Sequence, residues 1–539
     1  MKRLDIIDTP PRLPVATQPI MTKSGIFTSP EGKSYAITFT LVSSLFLLWG
    51  FCNGMIDVMD KHFQQELHLT LAQSAWVQFA HYLGYFLMAM PAGWLASKLG
   101  YKGGIIAGLL MVAVGGFWFI PATKIATFPA FLLGVCVIAS GLTFLETVAN
   151  PYTTVLGPKQ FAATRINLAQ SCNGVGWIFG PIAGAAFFYG KDASGQSTGS
   201  ETLWIPYAAV GGFVLFLAVV FFFCKLPDIK SEDEFHLDDQ GPAGNAPVAN
   251  RGLAMGFLWL NIVVLAVAIG MIFSAIVAIP SVGKSLGMTE NQALWSASGI
   301  LLVIGTVAFA LKNRNITNHS IWSHPHFSGA TLTQFFYVAA QCGIFAYFIN
   351  YMTSQIPAVP DSWKAGMFGN WFEIHKNGIL GLSDKGASTL ASVGFIFFLA
   401  GRVIGAALLK KFPAHKVLAS FAVLAGLCSL LVLLKLGWLS AIALFLTYFF
   451  MSIMFPTIFS LGIYGLGGRA KKASSFIVMA IMGGAIMPKL MGHIADKDGM
   501  SAGFIVPLVC FVWVAGYSLL WSKLSGSDGV VGVDATKGH

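Results

Sequence analysis

The stretch Trp204–Cys224, WIPYAAVGGFVLFLAVVFFFC, contains no charged residue. It is long enough to cross a bilayer core as a helix, which takes roughly 20 apolar residues. Backbone groups in lipid must be satisfied within their own segment or in a closed barrel. The stretch lacks the alternation of a barrel strand, so it reads as a transmembrane helix. Comparable blocks flank it at Ile37–Gly54, Gly103–Pro121, Leu253–Ser281 and Val417–Leu434. Across the 539 residues, 55% are hydrophobic and 10% charged. A soluble chain carries about a quarter charged residues, so this one lacks the polar surface to cover itself. The fold class is all-α integral membrane.

Fourteen spans are expected. Residues 1–34 are polar and mixed, with no signal-peptide pattern, and read as a cytoplasmic tail. Residues 35–224 hold six spans. A hydrophilic linker follows at 225–252, containing SEDEFHLDDQGPAGNAP. Two spans at 253–311 and a basic connector at 312–326 precede six more spans at 327–523, and 524–539 form a C-terminal tail. The turn PAGWLASKLGYK (Pro91–Lys102) is echoed by GRVIGAALLKKFPAHK (Gly401–Lys416). LGPKQFAATR after Pro151 is echoed by YGLGGRAKK after Pro456. Repeated six-helix halves are one transporter plan, and the pair at 253–311 is then an insertion between them. The run Gly176, Gly180, Gly184 has the small-residue spacing that lets helices approach closely in lipid.

The net charge of +10 is a topological signal. Counted from a cytoplasmic N-terminus, Lys98/Lys102, Lys159/Arg165, Lys225/Lys230, Lys312/Arg314, Lys410/Lys411 and Arg469/Lys471/Lys472 fall on one side. All seven arginines lie on or near it, as the positive-inside rule requires. Both termini are expected in the cytoplasm, the lipid bilayer is the partner that composition demands, and no nucleic-acid partner is expected. The seven cysteines sit in or at the ends of apolar spans without CxxC spacing, so neither a disulfide framework nor a metal site is expected. GQSTG (Gly195–Gly199) lacks the strand that an esterase elbow needs. VGKS (Val282–Ser285) lacks the leading glycine of a phosphate loop. No catalytic constellation is present, so the chain is not read as an enzyme.

Ionisable groups inside a span are costly and are functional candidates by default. Glu146 lies in SGLTFLETVANP (Ser140–Pro151), with Asn150 one turn on. An isolated carboxyl in apolar surroundings favours its neutral form, which suits it to carry a proton; the alternative is a structural acid between helices. In the first span Asn53, Asp57 and Asp60 share one helical face, with Trp49 a turn before them. The fifth span carries Asn167, Gln170 and Asn173, and the first span after the connector carries Gln334, Tyr337 and Gln341. Amides donate and accept as hydroxyls do, and aromatic rings offer faces for C–H surface, so the two sets point to a sugar. The alternative for both is interhelical hydrogen bonding. His81 and His493 are read as interface histidines rather than proton relays. Lys98, Lys102 and Arg402 are assigned to the cytoplasmic gate, with Arg402 as an end anchor.

Longer motifs add a resemblance. LLWGFCNGMID (Leu47–Asp57), PAGWLASKLGYKGGI (Pro91–Ile105), LETVANPYTTVLGP (Leu145–Pro158), RINLAQSCNGVG (Arg165–Gly176), QFFYVAAQ (Gln334–Gln341), SIMFPTIFSLGIYGLG (Ser452–Gly467) and SSFIVMAIMGGAIMP (Ser474–Pro488) resemble the fucose–galactose–glucose:proton symporter family of the major facilitator superfamily. The resemblance implies two six-helix bundles with alternating access. It further implies uptake of a hexose coupled to proton entry. It places proton coupling on Asp57 and Glu146, and substrate contacts on Gln170 and Asn173; Asn53, Asn150, Gln334, Tyr337 and Gln341 join them from the residue reading. The leading reading is proton-coupled import of a neutral hexose, N-acetylhexosamine or disaccharide without a cofactor; the alternatives are a sodium-coupled sugar symporter and a sugar-binding membrane sensor without transport. A monomer in a bacterial cytoplasmic membrane is expected. Two departures stand out: Gly54 and Ile56 where fucose permeases carry amides, and the inserted pair of spans.

Overall fold

The computed structural model describes residues 25–28, 32–66, 76–158, 161–188, 202–227, 250–277, 280–313, 316, 320–357, 359–363, 371–374, 380–382 and 384–526. The expected tails at 1–34 and 524–539 and the linker at 225–252 therefore lie largely outside the described residues. In chain order the helices are α1 Ala36–Glu66, α2 Trp76–Ile125, α3 Phe128–Val155, α4 Ala162–Phe188, α5 Trp204–Phe223, α6 Arg251–Val277, α7 Pro280–Leu286 and α8 Glu290–Asn313. They continue as α9 Pro325–Gln355, α10 Asp384–Leu409, α11 Ala414–Leu433, α12 Trp438–Met451, α13 Met454–Gly462, α14 Ala470–Met479, α15 Gly483–Asp498 and α16 Ile505–Ser525. One short antiparallel hairpin, β1 Phe372–Ile374 with β2 Leu380–Leu382, stands between α9 and α10.

Twelve helical stretches among the described residues are long and apolar enough to cross a membrane, against the fourteen expected. The difference lies in two places. The 50-residue α2 is two helices joined at Gly100, whose backbone (φ 72°, ψ −177°) is open to glycine and strained for any residue with a Cβ. The other place is α4, whose first half is diluted by Asn167, Gln170, Ser171 and Asn173.

Hydrogen bonds and ring contacts fix which ends share a side. Arg165 Nη1 donates to the carbonyls of Ile26 (3.1 Å) and Pro158 (2.8 Å). The Tyr152 hydroxyl donates to Pro227 O (2.9 Å), and Lys102 Nζ to Phe222 O (2.6 Å) and Cys224 O (3.0 Å). Lys471 Nζ lies 4.2 Å above the Tyr101 ring, and Asn250 Nδ2 donates to Lys523 O (3.3 Å). The start of α1, the Gly100 bend, the α3–α4 loop, the end of α5 and the start of α14 thus lie together, on the basic side, and the start of α6 meets the end of α16. Arg165 is fully buried and also donates through Nε to Thr153 O (3.0 Å). It satisfies carbonyls that the end of α3 leaves open.

α1 to α5 form one bundle and α9 to α16 the other. Between them in sequence, α6 leans on α9, where Asn261 Nδ2 donates to Ser328 O (2.9 Å). α8 packs along α6 and exposes Trp295, Val303, Ile304 and Leu311. Nearly all of its apolar length is exposed rather than packed against protein.

α1 and α4 approach closely because glycines meet backbone. A Cβ at Gly176 would collide with Leu47 O and lie 2.8 Å from Gly50 C; one at Gly180 would collide with Phe51 O and lie 3.0 Å from Gly54 Cα. Gly176→Leu is expected to cost about 1–3 kcal/mol by overpacking and to lower the melting temperature of the detergent-solubilised protein. Gly212→Leu, on an open face of α5, should melt like the wild type. Equal melting of both variants would refute this account of the α1–α4 seam.

Candidate functional site

The polar residues of α3 and α4 meet in the interior. Gln170 Nε2 donates to Asn150 Oδ1 (3.0 Å), and Asn173 Nδ2 donates to Gln170 Oε1 (2.9 Å). Asn150, Gln170, Asn173 and Glu146 are all buried. Glu146 sits one turn before Asn150 on α3, beside the side chains of Asn150 and Trp49. Its Oε2 is buried with no hydrogen-bond partner in the protein. On α1, Asn53 Nδ2 donates back to Trp49 O (2.8 Å). The Trp49 indole donates to the Tyr85 hydroxyl, so α2 contributes Tyr85 to the same wall. Asp57 lies in α1, but its side chain lies outside what the structure describes.

Arg402 corrects the sequence expectation. It lies seven residues, about 10 Å, inside the Leu409 end of α10, and it is 3% exposed. Its Nη1 donates to Gln170 O and reaches Gln170 Oε1 at 3.4 Å; its Nε donates to Ser452 O at 2.9 Å. The guanidinium also covers the Phe398 ring at 4.5 Å. The cause lies in α12–α13. An intact helix would give the Ser452 carbonyl to the N–H of residue 456, but that residue is Pro456, which has none. A buried carbonyl must find another donor, and Arg402 supplies it. The charge that was expected to anchor a helix end is therefore drawn into the boundary between bundles, within electrostatic reach of Glu146 and Tyr337.

Tyr337 and Gln334 lie one turn apart on α9, both fully buried. The Tyr337 hydroxyl and both polar atoms of the Gln334 side chain have no protein partner. Gln341, a turn further along, is half-buried and joins no bond to the cluster. Asn167 instead ties the bundles nearer the basic side, its Nδ2 donating to Thr457 Oγ1 (3.0 Å).

Lys98 and Lys102 do not bridge the bundles. Lys98 lies over Trp94 (4.6 Å), and the Gly100 bend turns Lys102 to the open carbonyls at the end of α5, within the first bundle. On that side Lys471 crosses the boundary, over Tyr101. A Cβ at Gly93 would collide with Ser475 Oγ, so α2 and α14 also touch there. Sequence reasoning read Lys471 only as a topological charge, and it missed Tyr85 and Trp177. For Trp177 a signal existed, since it continues the face of Gln170 and Asn173 at helical spacing.

Buried polar atoms without partners are rare and expensive in proteins. Glu146 Oε2, Asn150 Nδ2, Asn173 Oδ1, Gln334 Nε2 and Oε1 and the Tyr337 hydroxyl are among the buried polar atoms that lack one, and Glu146 and Tyr337 both lie within electrostatic reach of Arg402. These atoms include donors and acceptors and come from both bundles. Such a set suits a neutral, polyhydroxylated ligand, each of whose hydroxyls both donates and accepts. Among the described residues no cluster of metal-ligating side chains occurs.

The sequence pattern of the Major Facilitator Superfamily matches residues 38–349. The L-fucose-proton symporter of Escherichia coli strain K12 is 33% identical over 482 residues, covering 89% of this chain and 92% of its own length. The glucose/galactose transporter of Brucella abortus biovar 1 is 27% identical over 493 residues, covering 91% and 95%. Among solved structures, the transporter FucP in its outward conformation superposes with a TM-score of 0.64 at 30% identity, over 91% of this chain and 100% of that one. The proton:xylose symporter XylE shares the fold, with a TM-score of 0.60 at 12% identity over 92% of this chain and 97% of that one. Twelve long apolar helical stretches among the described residues, two helical bundles and matches along most of its length make this chain a multi-pass membrane protein of the Major Facilitator Superfamily.

Proposed function

We propose that the chain is a secondary transporter that imports a neutral sugar with a proton by alternating access. The single observation that carries this reading is the buried polar cluster at the boundary between the bundles, where Arg402 binds the Gln170 carbonyl of one and the Ser452 carbonyl of the other within electrostatic reach of Glu146 and Tyr337. The named activities of the relatives, proton-coupled fucose transport and glucose/galactose transport, agree with it. Asn150, Gln170, Asn173, Gln334 and Tyr337 are assigned to the sugar, with Asn53 and Gln341 at the margin. Glu146 carries the coupling proton, and Asp57 is the second acid of the scheme. Arg402 joins the bundles at the level of the sugar. Closure on the basic side is assigned to Lys471 over Tyr101 and to Asn167 with Thr457, in place of Lys98 and Lys102. The basic side faces the cytoplasm of a bacterium, in keeping with the positive-inside rule, and the working unit is one chain.

The test is uptake into proteoliposomes of labelled glucose, galactose, fucose, N-acetylglucosamine and sucrose, under an imposed inward proton gradient, a sodium gradient or none. At least one sugar should accumulate under the proton gradient alone. Accumulation driven by sodium alone would overturn the choice of ion. Movement of none of these sugars would overturn the substrate class.

A further inference from the structure

α4 and α10 run antiparallel across the boundary between the bundles, and three contacts give their register. Arg402 binds Gln170. A turn further from the basic side, Gly174 faces Leu399, whose Cδ1 would lie 3.0 Å from a Cβ added to the glycine. Beyond that, the Trp177 indole stacks on Phe395, ring centroids 5.3 Å apart and planes 13° apart. The stack stands seven residues beyond both Gln170 and Arg402, about 10 Å along the helix axes. Trp49 and Phe345 close edge-on around the same indole at 6.4 and 6.1 Å. Two of these four rings belong to each bundle. They form a layer over the amides on the side away from Lys471 and Tyr101.

Trp177 differs from an ordinary core tryptophan in two respects. It is only half-buried, although it lies at the level where the bundles touch. The group that lies flat on its face comes from the opposite bundle. When α4 and α10 part on this side, Phe395 leaves with its bundle and the indole face is bared, two turns from the amide cluster on its own helix. An indole offers a broad apolar face with a negative quadrupole. The C–H face of a pyranose, apolar and slightly positive, is a complementary surface, and its ring hydroxyls point outward toward groups such as Asn173 and Gln170.

We propose that Trp177 is the stacking platform for the sugar: the C–H face of a hexopyranose lies on the indole, and Phe395 takes that place when the seam closes without cargo. This inference rests on the sugar-transport reading above. It assigns to Trp177 the selection of ring sugars over open-chain polyols that carry the same hydroxyls but no flat face.

The experiment is initial-rate uptake of the pyranose that the panel identifies, in proteoliposomes holding wild type, Trp177→Phe or Trp177→Leu, with the matching alditol as competitor. Trp177→Leu should raise KM about tenfold with Vmax within about twofold of wild type, and its preference for the sugar over the alditol should fall in proportion. Trp177→Phe, which keeps an aromatic face, should stay within about threefold of the wild-type KM. An unchanged KM in Trp177→Leu, a loss confined to Vmax, or a phenylalanine variant as weak as the leucine one overturns the platform and leaves sugar transport standing. A wild type that moves no pyranose overturns the parent reading and the platform with it.

Discussion

Glu146→Gln should abolish accumulation while leaving exchange intact. In wild type, one proton moving inward with each neutral sugar draws about 2.3 kcal/mol from every 100 mV of membrane potential, roughly a fifty-fold concentration of sugar. In the variant the ratio of internal to external sugar should end near unity at any imposed gradient. Counterflow of labelled against unlabelled sugar should stay within a few-fold of wild type. Glutamine keeps the size of the side chain and its place beside Asn150 and Trp49, but it cannot gain or lose a charge, so the carrier cycles without its coupling ion. A purely structural carboxyl would behave differently. Because glutamine preserves hydrogen-bonding capacity at that site, a structural role would leave accumulation close to the wild-type value. Gradient-dependent accumulation by the glutamine variant would therefore remove Glu146 from the coupling scheme.

How much of this site could be read from the sequence depends on where each side chain finds its partner. Glu146, Asn150, Gln170 and Asn173 were legible, because a polar group in a lipid-length helix has few ways to be satisfied and one-turn spacing puts such groups on one face. The two bundles and the inserted pair were legible from apolar blocks, although the place of α6 against α9 was not. The partner carbonyl there, Ser328 O, answers Asn261 from 67 positions away. Arg402 was misplaced for the same reason. Its position is set by a carbonyl that Pro456 orphans on a different helix, and nothing local to GRVIG announces it. Lys98 and Lys102 were read as a gate because they end a helix, and only the backbone of Gly100 decides that Lys102 turns to α5. Trp177 and Tyr85 carry no charge and vanished into a composition with 13% aromatics, even though Trp177 extends a polar face.

Arg402→Ala should cost most of the proton-driven uptake, and a double-variant cycle should locate the loss at Glu146. The guanidinium holds three things at once: the Gln170 carbonyl of one bundle, the Ser452 carbonyl of the other, and the field at Glu146. A protonated Glu146 leaves Arg402 committed to its carbonyls across the boundary. An ionised Glu146, with Oε2 free of any other protein partner, competes for the same cation and weakens the tie between bundles. The charge on one carboxyl is thereby linked to whether α4 and α10 stay joined, which is the link that symport requires. Coupling between two sites is typically about 1–3 kcal/mol, or 5- to 150-fold. In the Glu146→Gln background, then, Arg402→Ala should change the counterflow rate several-fold less than it does in wild type. Arg402→Lys should recover only part of the loss, because a single ammonium cannot reproduce the fixed fork that spans two carbonyls. If the effects of the two substitutions on counterflow simply multiply, Arg402 acts on the bundles independently of Glu146, and the link between charge and closure must be sought at Asp57 instead.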